Sequence, residues 1–197
     1  MKYEKKELYG GAITVQLPTS LTDASNLRQI PDTQEVFISS DRSEIHKDDA
    51  IIIDLLERQD NPNDPEALQY HLSEISKLNG VAKDSQQILY QSELKAPNFP
   101  GDYAAIIISG EQAKKWGRDE TVLILVLGLI RISKSETDLL VSYNVPFHDA
   151  DELEDLKKTL AGDGSGNGKA SARIEMGKEA VLKAIESIKI ENWSLFG

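Results

Sequence analysis

Thr121-Val-Leu-Ile-Leu-Val-Leu-Gly-Leu-Ile-Arg-Ile132 decides the architecture. Between Val122 and Ile130 there is no polar side chain, whereas a strand with one wet face alternates apolar and polar residues. A strand of this kind needs a layer on each of its faces. It is about half as long as a helix that crosses a bilayer. After a turn at Ser135-Glu136, Asp138–Val145 reads as the returning strand of a long hairpin.

Working outward, Tyr103–Ser109 and Gln86–Gln91 read as further strands, separated by a loop from Pro97 to Gly101. Upstream, Ile13–Leu17 alternates after Gly10-Gly11 and stops at Pro18, and Ala24–Arg28 suits a helical turn. Pro31-Asp32 marks a turn into Glu35–Ser39. The three consecutive isoleucines of Ile51–Leu56 favour another buried strand. Asp64 is placed to cap a helix that starts at Pro65. Leu68, Leu72, Ile75 and Leu78 form its apolar stripe, and Asn79-Gly80 stops it. A second helix, Ala172–Ile188, carries Ile174, Val181, Leu182, Ile185 and Ile188 on one side. The expected class is α/β of the α+β type, a central and largely antiparallel sheet sandwiched between helices. Residues 1–197 are expected to form a single domain. Residues 148–170, acidic and then glycine-rich, read as a flexible insertion before the C-terminal helix, with room for a short helix over Asp151–Leu160.

The chain has 197 residues, 22 Lys and Arg against 33 Asp and Glu, and a net charge of −11. That balance argues against nucleic acid or an anionic membrane as a partner. The charge is local: residues 31–66 hold 11 acids and 3 bases, or −8. This window is either a solvated face or a docking surface for a basic partner. Without cysteine there is no disulfide, zinc-thiolate site or thiol nucleophile. No apolar segment follows the basic start, so no secretory or transit signal is expected.

Motifs for chemistry are sparse. The glycine-rich stretch imitates an EF-hand loop at Asp163, Ser165, Asn167 and Gly168, but Ile174 stands where the closing glutamate belongs. Read as a phosphate loop, Gly168-Lys169 has Asp163 in place of glycine and Ala170 in place of Ser or Thr. His46, His71 and His148 lack metal-ligand spacing and read as surface histidines, although Asp48 and Asp49 beside His46 suit weak binding of a hard cation. No catalytic residue, cofactor or metal is expected, and a hydrolase built on an acidic pair is the weaker alternative.

Leu8-Tyr-Gly-Gly-Ala-Ile13, Leu17-Pro18, Asp23-Ala-Ser25, Arg28-Gln-Ile-Pro-Asp-Thr-Gln-Glu-Val-Phe37 and Ile51-Ile-Ile-Asp-Leu-Leu-Glu57 resemble the Ran guanine nucleotide release factor family in residues, order and spacing. Leu127-Gly-Leu-Ile-Arg131, Thr137-Asp-Leu-Leu-Val141, Asn144-Val-Pro146 and Asn192-Trp-Ser-Leu-Phe-Gly197 extend the resemblance. It implies a Ran-binding protein of nucleus and cytoplasm that promotes nucleotide release and supports nuclear import. The implied fold is similar to that of an extrinsic subunit of the oxygen-evolving complex. The implied Ran contact is an acidic pair that falls on Asp32 and Glu35, with Thr33 standing where asparagine is usual. Arg28 either orients that pair or touches the partner itself. Asp54 and Glu57 are further interface candidates, although Asp54, inside an apolar run, could equally serve a local structural need. A monomer acting by binding and not by bond-making chemistry is expected; a trafficking adaptor without effect on nucleotide is the alternative.

Overall fold

The structure, a computed structural model, describes residues 1–39, 45–59, 63–81, 85–113, 121–162, 166 and 168–197. β1 (Tyr3–Leu8) and β2 (Ile13–Pro18) pair antiparallel around the turn Tyr9–Gly11, and β10 (Lys189–Ile190) joins the far side of β2. The larger sheet contains β3 (Leu21–Asp23), β4 (Gln34–Ser39), β5 (Ala50–Glu57), β6 (Gln86–Leu94), β7 (Tyr103–Ala113), β8 (Thr121–Ile132) and β9 (Thr137–Phe147). Its order is β3-β4-β5-β9-β8-β7-β6, with every neighbouring pair antiparallel. The α-helices among the described residues are α1 (Asp64–Leu78), α2 (Ala150–Ala161) and α3 (Lys169–Ser187), with short 3-10 turns between elements. The α+β expectation holds.

The apolar run is satisfied as its composition requires. Leu125, Leu127 and Leu129 of β8 pack with Leu68 and Leu72 of α1 on one face. Ile124, Val126, Ile130 and Ile132 point the other way, into a larger cluster with Val181 and Ile185 of α3. Each fully buried side chain of this size contributes roughly 1.5–3 kcal/mol. Contact on the α3 side is close: a Cβ on Gly128 would lie 2.8 Å from Cγ1 of Val181, and one on Gly177 would lie 2.9 Å from the Tyr143 ring. Small residues at both crossings let the helix sit down on the sheet.

Some elements differ from expectation. β1 was not expected, because Tyr-Glu-Lys-Lys-Glu-Leu has little apolar content; as an edge strand it buries only Leu8. Asn63, not Asp64, caps α1 by accepting from the Glu66 backbone N–H. Asp64 lies in the first turn, where its carboxylate accepts from Arg131 at 2.8 Å. His71 is not a surface residue: it is buried, with Nε2 2.8 Å from Asp138 Oδ2. Arg131 and Asp138 are cross-strand partners in the β8–β9 ladder, and Arg131 Nε donates to Asp138 Oδ1 at 3.1 Å. Burial alone would raise the Asp138 pKa, but the hydrogen bonds from His71 and Arg131 outweigh it and hold the carboxyl below its usual range.

The short helix for which Asp151–Leu160 leaves room forms as α2, whose Leu156 is buried in the larger cluster. Asp155 Oδ2 accepts from the Ala170 backbone N–H at 2.8 Å, tying α2 to the start of α3. Residues 163–165 and 167 lie outside the described residues. Among the described residues, no helix is long and apolar enough to cross a membrane.

Candidate functional site

The β4–β5 edge is held by the turn after β1. Tyr9 takes a positive φ of 51°, followed by Gly10 at 65° and Gly11 at 88°. Such a run of left-handed residues is permitted by the two glycines and turns the tyrosine across the sheet. Its hydroxyl donates to the carbonyls of Thr33 and Ile53, each at 3.0 Å, and its backbone N–H donates to Glu35 Oε1 at 2.5 Å. Burial and the nearby Asp54 and Glu35 carboxylates push the Tyr9 pKa up, so it stays a neutral donor. The Pro31–Gln34 turn closes through Gln34 N–H to Pro31 C=O at 2.9 Å, and Leu55 N–H reaches Thr33 C=O at 3.0 Å.

On the α1 face, coverage is partial. α1 packs against β7 and β8, leaving an open cleft of about 740 Å³ over β4, β5 and the end of β9. Val36 lies opposite Ile52, Ile38 opposite Ala50, and Gln34 opposite Asp54 in the antiparallel register, so the floor is apolar with a carboxylate at one end. One wall comes from the 3-10 turn Ala24–Asn26 and the following Leu27 and Arg28, the other from Ile75, Leu78 and Asn79 at the end of α1. Lys47, Asp48, His148 and Asp149 lie at the opposite end.

Asp54 is half-buried among these groups. Burial raises its pKa, while a hydrogen bond from Gln34 and the proximity of His71 pull it down without cancelling the rise. An ionised carboxylate kept in such a place is under-solvated, and an arriving cation would relieve it.

A family model described as Ran-interacting Mog1 protein matches residues 6–146, which run from within β1 almost to the end of β9 and take in the whole cleft floor. The chain belongs to the Mog1 family. The nuclear import protein MOG1 of Saccharomyces cerevisiae is 36% identical over 168 residues, 81% of this chain and 74% of its own. A Ran guanine nucleotide release factor of Danio rerio is 32% identical over 146 residues, 72% and 77% of the two chains. The crystal structure of the Saccharomyces cerevisiae Ran-binding protein Mog1p is similar over 100% of both chains, with 31% identity and a TM-score of 0.76.

Within this Mog1-family chain the residues singled out in the sequence divide between two faces of the sheet edge. Asp54 and Arg28 share the cleft. Glu35 alternates with Val36 and shares the opposite face with Phe37; it is half-buried and bound to Tyr9, not a free strand-end acid. Glu57 follows Ile53 and Leu55 on that face and is exposed, while Asp32 is exposed in the turn. Among the described residues Arg28 forms no ion pair within 4 Å, so it does not orient Asp32 or Glu35 by a salt bridge. Asp49 is buried; burial raises its pKa to about 6 against the opposing pull of Arg173, 2.6 Å away. His46 contacts Glu152 at 3.2 Å and His148 contacts Asp48 at 3.0 Å. Among the described residues, no three such groups are arranged to hold a metal ion. Sequence reasoning missed Tyr9, Gln34, Leu27 and the exposure of Leu78; Tyr9 carried a signal in the two glycines behind it.

Proposed function

We propose that this chain binds the GTPase Ran, promotes release of its guanine nucleotide and so supports nuclear protein import, working in both nucleus and cytoplasm. The match of residues 6–146 to a Ran-interacting family carries this reading. The names of its relatives, a nuclear import protein and a Ran guanine nucleotide release factor, support it.

The contact is assigned first to Asp54 and Arg28, which share the cleft, and then to Asp32, Glu35 and Glu57 around the same sheet edge. Activity needs no bond to be made or broken. A protein that binds empty Ran more tightly than loaded Ran must weaken nucleotide binding by the same factor, since the two equilibria are linked. An under-solvated carboxylate is suited to that task, because it gains most from a basic group that no phosphate is holding. The protein acts as a monomer, without cofactor or metal.

The test is the rate at which labelled guanine nucleotide leaves Ran with and without this chain. Acceleration that rises with chain concentration and saturates is expected. Binding without any change in release would overturn the release activity and leave a trafficking adaptor.

A further inference from the structure

Of the large apolar side chains among the described residues, the two most exposed are Leu78 at 84% and Leu27 at 71%. Exposed leucines occur singly on most proteins and need no explanation. These two line one cleft, on walls contributed by separate elements at opposite sides of its floor. Leu27 stands at the β4 edge, and Leu78 ends the helix that covers β7 and β8. Between them lie Val36, Ile38 and Ile52, which belong to neither core cluster. An apolar floor with apolar lips on both sides is an interaction surface, not a stray exposed residue.

Charge indicates the occupant. Acids outnumber bases around the floor: Asp54 at one end and Asp48 with Asp149 at the other stand against Arg28 on one wall and Lys47 beside Asp48, within a chain of net charge −11. A neutral apolar ligand would gain nothing from them, and a second acidic copy of this chain would be repelled.

We infer that the cleft receives a surface element of Ran whose apolar side chains lie on the Val36–Ile52 floor between Leu27 and Leu78, and whose lysine or arginine reaches Asp54. This rests on the reading that the chain binds Ran, and adds where and by what chemistry. The apolar contacts hold the element in place; the carboxylate selects the basic group within it.

The experiment pairs the parent chain with the double variant Leu27→Lys, Leu78→Lys, titrated into nucleotide-free Ran. Lysine suits the exposed end of α1 and adds a charge that repels a basic element at each lip. The parent binds; the variant, folded by circular dichroism, binds at least about tenfold more weakly. A parent that does not bind Ran overturns the functional reading. A parent and variant that bind alike overturn the cleft assignment alone. Hydrogen exchange on the parent gives an independent readout: Ran should protect amides of 34–38, 50–54 and 75–79 and leave the far edge strand, 86–94, unchanged. Protection confined to that far edge would contradict the inference. So would a parent that sediments as a dimer and becomes monomeric in the variant, which would assign the cleft to a second copy.

Discussion

The two faces of the seven-stranded sheet are finished differently. The face under α3 is sealed, with glycine at both crossing points and no room for a Cβ at Gly128 or Gly177. The face under α1 is sealed over β7, β8 and the Asp138 and Leu140 start of β9, and the floor made by β4 and β5 stays open between two exposed leucines. The closed regions supply stability. The open half carries a carboxylate at a cost in solvation, which is how a binding site differs from a core.

The largest expected effect comes from the buried pair beneath α1. Arg131→Leu leaves Asp138 buried beside His71 without its guanidinium and should destabilise the fold by about 3–5 kcal/mol, read from chemical denaturation. A loss below about 1 kcal/mol would mean that water or His71 already satisfies Asp138.

Next is the sealed face. Gly128→Ala puts a methyl group 2.8 Å from Val181, a stiff β-branched side chain, and should cost about 1–3 kcal/mol. A neutral result would show that α3 is looser on the sheet than its contacts imply.

The pH dependence sharpens the same contrast. The folded-state pKa of Asp138 is held below the ordinary aspartate value of 3.8, so its contribution is fully present above that value and is lost as pH falls through the lower, folded pKa. Asp49 has the opposite sign: its folded pKa of about 6 lies above 3.8, so its contribution falls as pH rises between the two. Asparagine mimics a protonated carboxyl, so the denaturation midpoints of Asp138→Asn and Asp49→Asn should lie nearest the parent's at the acid end of pH 3–7 and separate from it in opposite directions as pH rises, Asp138→Asn toward lower stability and Asp49→Asn toward higher. Parallel curves would remove both groups from the pH dependence.

How much of this was legible follows from what periodicity encodes. The run in β8 shows that both faces must be covered, and β8 is covered on both. Periodicity in α1 correctly turns Leu68 and Leu72 toward the sheet, yet it also turns Leu78 that way, and Leu78 is exposed. The pattern tells which side of a helix faces the sheet; it does not tell where the neighbouring layer ends. The cleft is therefore invisible in the sequence, although Asp54 stood out as a charge inside an apolar strand. β1 escaped because a charged edge strand resembles a polar terminus, and His71 because its partner Asp138 lies 67 residues away.

The smallest effect is expected at the lips of the open half. Leu27→Lys and Leu78→Lys should each change stability by no more than about 0.5 kcal/mol, because neither side chain is packed. A larger loss would make the lips part of the core and close the distinction between the two faces.

The central claim is that the open half is kept for Ran at some expense to the fold, and Asp54→Asn tests it most directly by calorimetric titration of nucleotide-free Ran. Since burial raises the Asp54 pKa, removing the ionisable group should leave the free chain at least as stable as the parent at neutral pH. Binding should fall by at least about thirtyfold, the smaller end of what truncating a desolvated interfacial charge costs. A variant that binds Ran as tightly as the parent would contradict the account.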